Sequence, residues 1–326
     1  FFKNSRIFEN THPENTVLRF KAARDRIKKY IEDANIGIEK VESILDAAHS
    51  IKFQTERYGK ARKPYKEIRD ELIETYNSMD QKYKALAADD FNRVPLRKDT
   101  DLLGFLIEHG DHLEEWERDV LEIVRTESQY FIPQIKTKIL NEGWASFWHY
   151  RILHSLELNS DKHLPFLKTH NQVIRPHIGA LNPYHLGFHL FKKIEEEYGI
   201  EECFFVRETH DDVGALRRFL ERKDCEELNL FTYSTKKERI TVDDVSDEDG
   251  WKVIKNDLLR NVGISSIPHI SVVDIESDGR LVLEHEHDGR DLDLDYAERV
   301  IGQINVLWPK GVKLFTIIEE ELWEMD

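Results

Sequence analysis

Apolar residues recur at three- and four-residue spacing through most of the first two-thirds of the chain, and alternate only towards its end. After a polar connector over 1–12, Pro13 with Asn10 and Thr11 gives helix start signals. Val17, Phe20, Ala23, Ile27, Tyr30 and Ile31 then follow at helical spacing. Gly37 breaks that run, and Val41, Ile44, Leu45 and Ala48 mark a second helix over about 38–51. Charge dominates residues 53–100, which read as an exposed connector with one weak helix around 65–86. Leu113, Trp116, Val120, Ile123 and Val124 restart a stripe that runs on to Glu127, Tyr130 and Phe131, where Pro133 kinks or restarts the helix. The next helix, over about 134–156, places Leu140, Trp144, Phe147 and Trp148 on one side. Glu142 and His149 share the other with Ala145, Ser146, Leu153 and Leu156. Apolar nearly all round, it is predicted to be buried.

A histidine-rich loop (His163, His170, His177) is predicted next, then a helix opened by Asn182 as N-cap and Pro183 and ending near Gly199. Phe204-Phe205-Val206 reads as a short strand and 211–222 as a short helix. From Leu228 the period changes. Strands at 228–234 and 238–242, a helix at 250–261, strands at 269–275 and 280–285 across Ser277-Asp278-Gly279, a helix at 294–308 and a strand at 312–319 give the order ββαββαβ. The expected class is α+β: a mainly helical N-terminal two-thirds, then a small C-terminal layer with helices on one face of a mainly antiparallel sheet. The organisation read from pattern and charge is a helical segment with charged connector (1–100), a helical core (101–225) and an acidic α+β domain (226–326).

Composition narrows the class. With 40% hydrophobic and 34% charged residues and no apolar run near eighteen, no membrane-spanning helix is expected. Cys203 and Cys225 are the only cysteines, too few for a disulfide framework, so a reducing cytoplasm is the expected compartment. The net charge of −16 argues against non-specific nucleic-acid binding, and −13 of it lies in residues 241–326. The sequence opens Phe1-Phe2-Lys3-Asn4 without Met, which suggests a fragment or a processed product.

The candidate chemistry centres on Glu142 and His149. Seven helical residues separate them by roughly 10.5 Å along the axis. Either one ligates a metal while the other supports it or acts in catalysis, or the two form a buried pair that locks the helix. Glu127 reads as a base or supporting carboxylate, or as a partner of Arg125, Lys136 or Lys138. His185 and His189 have the i, i+4 spacing that chelates metal on a helix, yet the intervening Leu-Gly-Phe is ordinary packing. Residues 284–288 combine two histidines with three acids, as a metal tract or a solvated edge. No phosphate-cradling loop, nucleophile elbow or cysteine beside a plausible base is present, so covalent catalysis has no support.

These residues carry a family resemblance. Trp116-x-Arg118-Asp119, Glu127-x-x-Tyr130-Phe131-x-Pro133-Gln134, and the run from Thr137 through Asn141-Glu142-Gly143-Trp144-Ala145-Ser146 to Trp148-His149 resemble the stage V sporulation protein R (SpoVR) family. Asn182-Pro183-Tyr184-x-Leu186-Gly187, Val206-Arg207-Glu208, Asp212, Leu216-Arg217 and Leu307-Trp308 continue the match over essentially the whole chain. The resemblance implies a cytoplasmic protein, tied to spore cortex formation or to stress response, with a PrkA-type serine kinase and a YhbH-type protein as companions. Asn141-Glu142-Gly143-Trp144-Ala145-Ser146-Phe147 is also similar to the segment of gluzincin aminopeptidases whose glutamate is a zinc ligand. That likeness implies a zincin-like helical part with Zn2+ held by Glu142, and further histidine ligands in a segment preceding Phe1, where an apolar residue stands at the base position. A zinc-dependent hydrolase of peptide or amide bonds would use His149 as ligand or acid/base group, Glu127 in proton transfer and Tyr130 at an oxyanion. The other reading is a non-catalytic regulatory or scaffold partner of the kinase system.

Overall fold

The computed structural model describes residues 15–57, 65–80, 84, 95, 97–177, 180–230, 232–236, 239–244 and 247–326. In chain order the elements are α1 (Thr16–Glu32), α2 (Gly37–Ser50), α3 (Tyr65–Ser78), α4 (Leu102–His109), α5 (Glu115–Lys136), α6 (Lys138–Ser155), α7 (Ser160–Val173), α8 (Pro183–Tyr198), α9 (Ile200–Thr209), α10 (Asp212–Phe219) and α11 (Arg222–Glu227). Then come β1 (Thr232–Lys236), β2 (Arg239–Asp244), α12 (Gly250–Asn261), β3 (Ile270–Ile275), β4 (Leu281–His285), α13 (Leu294–Leu307), β5 (Val312–Ile318) and β6 (Glu321–Met325). The class is α+β, mostly helical with a small sheet near the C-terminus. Composition divides the chain at 100 and 225, whereas packing gathers it into two compact units with borders at 131/132 and 266/267.

One unit joins Glu14–Phe131 to Ile267–Asp326. Its core is set by the first turns of α4, where Leu102, Leu103, Gly104, Phe105 and Leu106 are all buried. Asp101 caps this helix by accepting from the Gly104 N–H at 2.8 Å, and the Arg125 guanidinium holds the same buried carboxylate at 2.7 Å. Val41 and Ile44 of α2, Val120 and Leu121 of α5, Ile301 and Ile304 of α13, and Val272, Leu281, Leu283, Val312 and Leu314 of the sheet complete the core. The sheet order is β3-β4-β5-β6, with β4 and β5 parallel and the outer pairs antiparallel. The parallel pair arises because α13 lies between β4 and β5 and carries the chain back to the same end. Glu319 and Glu320 join β5 to β6 with φ of 51° and 67°. Each L residue held in that left-handed region costs about 1–2 kcal/mol.

The other unit holds Ile132–Ser266. Its framework is α6 packed on α8, and the contact is glycine on glycine. A Cβ built on Gly187 would lie 2.3 Å from the Ile139 carbonyl oxygen and 2.6 Å from Gly143 Cα, so the two backbones touch. Leu140, Phe147, Leu190, Phe191, Ile194, Cys203, Val206, Ala215 and Phe219 fill the space on one side of the crossing. Ile139, Leu186, Leu216, Leu220, Cys225 and Val262 fill the other.

Several expectations are corrected. Phe204-Phe205-Val206 lies in α9, because Cys203 and Val206 bury at helical spacing while Phe204 and Phe205 stay outside. The histidine-rich stretch is helix α7 through Val173, with Phe166 and His170 buried four residues apart. Gln54, Thr55 and Arg57, assigned to an exposed connector, are buried; the Gln54 amide and the Arg57 guanidinium donate to the carbonyls of Ile267 and Pro268. The weak helix spans Tyr65–Ser78. The C-terminal strands, mainly antiparallel as expected, do not form one sheet: β1 and β2 pair separately from the four-stranded sheet, which gains β6. Finally, α6 is buried on one face only, since Ala145, His149 and Ile152 are exposed.

Two glycine substitutions separate packing from helix propensity. Ala in place of Gly favours a helix by about 1 kcal/mol. A methyl group added at Gly302 of α13 would meet no atom within 4 Å, so Gly302→Ala should raise stability by about 0.5–1 kcal/mol. Gly187→Ala should instead lower it by about 1–3 kcal/mol, because α6 and α8 must move apart. Urea unfolding midpoints of the two variants check both signs.

Candidate functional site

Neither the start of α6 nor the start of α10 is left to chance. Thr137 precedes α6, but its hydroxyl donates back to the Pro133 carbonyl and does not cap the helix. The cap comes from far along the chain: Asp212 accepts from the Ile139 and Leu140 N–H groups, both at 2.9 Å. Its neighbour Asp211 caps α10 by accepting from Gly214 N–H at 2.8 Å. Adjacent carboxylates thus satisfy the first turns of two helices. Asp212 is 1% exposed, and burial pushes its carboxyl up to about 7 against the opposing effect of those N–H donors.

The far end of α10 is held by lysines. Lys193 of α8 donates to the Phe219 carbonyl at 2.9 Å, and Lys255 of α12 donates to the carbonyls of Arg217 and Leu220. Lys193 also meets Asp224 at 2.7 Å, and His189 Nε2 lies 2.8 Å from the other oxygen of that carboxylate. Burial alone would raise Asp224, but these bonds and the Glu221 N–H outweigh it and hold the carboxyl at about 2.

With α6 and α8 fixed in this way, the glycine crossing determines what faces Glu142. Glu142 immediately precedes Gly143, and Tyr184 lies one turn before Gly187. The Tyr184 phenol is held above its ordinary range, chiefly by the neighbouring Glu142 carboxylate, with burial adding to the shift. Glu142 is half-buried. His149, two turns further along α6, is exposed and stands edge-on to Phe166, with ring centroids 5.5 Å apart. Its ring centroid is 6.1 Å from that of His170, which is 3% exposed. His170 and His185 each bury an Nε2 that has no hydrogen-bond partner among the described residues, and burial lowers the pKa of both.

The remaining candidates fall elsewhere. Glu127 and Tyr130 belong to the other unit, on α5. Burial raises the Glu127 carboxyl, opposed by His49. Arg125, one expected partner of Glu127, is instead engaged by Asp101 and Glu122. Tyr130 packs against Phe20 and Phe131 at 5.5 and 5.2 Å between ring centroids. Of the i, i+4 pair, His189 is engaged by Asp224 and His185 is buried. In the 284–288 tract, His285 is buried against the Thr316 hydroxyl, Glu286 meets His269, and His287 meets Asp291. Burial pushes both cysteine thiols up to about 11, so neither is a thiolate nucleophile at neutral pH. No group of three or more His, Cys, Asp or Glu able to hold a metal ion forms among the described residues. Glu142 therefore supplies at most part of a coordination set.

Tyr184 and Asp212 were both present in the sequence motifs, but nothing local linked them to α6. An α+β protein whose helical unit presents one oriented carboxylate beside a glycine crossing is what the geometry defines. The SpoVR like protein family matches residues 1–267 and the SpoVR-like C-terminal domain matches 268–319, so the chain belongs to the SpoVR family. It is 27% identical over 363 residues to the "Uncharacterized protein YcgB" of Escherichia coli (strain K12), covering 96% of this chain and 70% of that protein. No solved structure matches the chain. No described helix is long and apolar enough to cross a membrane.

The Asp224 cluster gives a pH test of the framework. Its carboxyl titrates lower in the folded chain than in the unfolded one, so its stabilisation is present above about pH 4 and lost as pH falls through about 2. The shift corresponds to about 2 kcal/mol. Asp224→Asn should therefore lower stability by at least that amount at pH 7, with the gap to the parent narrowing between pH 4 and 2. Urea unfolding at pH 7, 4 and 2 measures it.

Proposed function

We propose that this SpoVR-family chain acts in the cytoplasm, in spore cortex formation or stress response, and carries the carboxylate part of a metal-dependent hydrolase site. The observation behind this reading is the Glu142–Tyr184 pair. A half-buried carboxylate on a helix, with the Tyr184 phenol beside it, keeps lone pairs for a ligand. The Asn141-Glu142-Gly143-Trp144-Ala145-Ser146 context resembles the glutamate segment of gluzincin aminopeptidases. When bound, Zn2+ would supply Lewis-acid polarisation of a peptide or amide carbonyl and an acidified water. Glu142 would hold it together with ligands from outside the described residues. Tyr184 would steady the carboxylate, and the exposed imidazole of His149, two turns along the same helix, would take a further ligand position or carry a proton.

A second reading rests on the acidity of the C-terminal part, where −13 of the net charge lies in residues 241–326 and offers a docking surface. In it the chain is a non-catalytic regulatory or scaffold partner of a PrkA-type serine kinase and a YhbH-type protein, and Glu142 is a structural acceptor.

Metal content separates the two. The protein carrying the segment expected before Phe1 should purify with one zinc per chain by elemental mass spectrometry. Glu142→Ala should lose it, and Tyr184→Phe should weaken zinc binding by roughly 10–100-fold. A protein without stoichiometric metal, or an alanine variant that keeps all of it, rejects the hydrolase reading and leaves the partner reading.

A further inference from the structure

The two edges of the four-stranded sheet are treated differently. The β3 edge is closed: Asp99 and Val272 exchange N–H to carbonyl bonds of 2.9 and 2.8 Å, and the Ile270 N–H donates to Gln54 Oε1. No strand or bridge among the described residues pairs with the outer edge of β6. The register identifies which main-chain groups that edge offers. Ile318 and Glu321 face each other across the two-residue turn, so Glu321, Trp323 and Met325 bond inward to β5. The N–H and carbonyl groups of Leu322 and Glu324 therefore point outward.

The side chains on this edge do not protect it in the usual way. Exposed edges are commonly blunted by lysine, proline or a bulge. Here Leu322 is 74% exposed, and its cross-strand partner Ile317 is 36% exposed. Trp323 is 44% exposed beside them. The charge around the edge is of one sign: Glu319, Glu320, Glu321, Glu324 and Asp326 all lie in the last eight residues, with no Lys or Arg among them. Lys313 pairs with Glu324 and Arg280 with Asp326, whereas Glu319, Glu320 and Glu321 have no ion-pair partner among the described residues. Two of these three occupy left-handed backbone, where Asn-Gly is the relaxed choice. Consecutive glutamates in left-handed backbone, beside a strand edge with which no described residue pairs, form an acidic surface complementary to a basic partner.

We propose that the β6 edge is a docking site for an extended, basic segment of a protein partner, which adds as a fifth strand next to Leu322 and Glu324. Main-chain bonds to the outward groups of β6 give the pairing. Leu322 and Ile317 receive an apolar side chain, and Glu319, Glu320 and Glu321 select lysine or arginine at alternate positions. The inference is independent of any role for Glu142.

The test uses a fluorescein-labelled peptide, acetyl-Lys-Val-Lys-Val-Lys-Val-Lys-amide, titrated with the full chain and followed by anisotropy. Its glutamate-for-lysine counterpart and a version with proline replacing each valine serve as controls. The lysine–valine peptide should bind at least tenfold tighter than either control, with affinity falling as salt is raised. Leu322→Pro removes one outward N–H while leaving the β5 ladder intact, and should reduce binding at least tenfold. Leu322→Lys, which keeps the backbone donor and so covers a folding failure of the proline variant, should do the same. If the proline-containing peptide binds as tightly as the lysine–valine peptide, or Leu322→Lys binds as the parent does, the strand-pairing proposal is wrong.

Discussion

The contact of Gly143 with Gly187 is the constraint on which the helical unit rests. Two helices whose backbones touch have little freedom to slide or rotate, because any side chain larger than hydrogen at either position forces them apart. That closeness brings Glu142 and Tyr184 together, since both lie within one turn of the crossing. It also sets the two flanking cores, with Phe147 and Phe191 on one side and Ile139 and Leu186 on the other. The carboxylate is thus placed by packing, and the raised Tyr184 phenol reflects that placement.

Charge completes what the glycines begin. α10 is a short helix whose two ends are tied down by Asp211 at the start and by Lys193 and Lys255 at the finish. Through Asp212 it also supplies the first turn of α6 with its acceptors. A short helix of this kind is unstable alone. Its persistence depends on these partners, and in return it positions the helix that bears Glu142.

Periodicity in the sequence located most helices, because a one-sided apolar stripe is a local property. It failed where burial and local pattern part company. Phe204-Phe205-Val206 is a short apolar run compatible with either period, and tertiary packing of Cys203 and Val206 decided for helix. Gln54 and Arg57 look like connector residues, yet their side chains satisfy backbone carbonyls more than two hundred positions away. The parallel β4–β5 pair follows from where α13 crosses, which strand composition does not encode. At the candidate site, Glu142 was legible because a carboxylate amid small and aromatic residues is anomalous. Tyr184 and Asp212 were not, since their partners are set by a crossing of two glycines that each read as isolated in the sequence.

The Asp212 cap also orders events during synthesis. The carboxylate that terminates the first turn of α6 stands 73 positions after Ile139, so the helix leaves the ribosome with that turn unsatisfied. It can be completed only once α7, α8, α9 and the start of α10 have followed. The neighbouring unit waits longer still, because Glu14–Phe131 finds the rest of its core in Ile267–Asp326. An early-made segment with apolar faces such as α2 and α4 must therefore wait for Ile267–Asp326 before its core is complete.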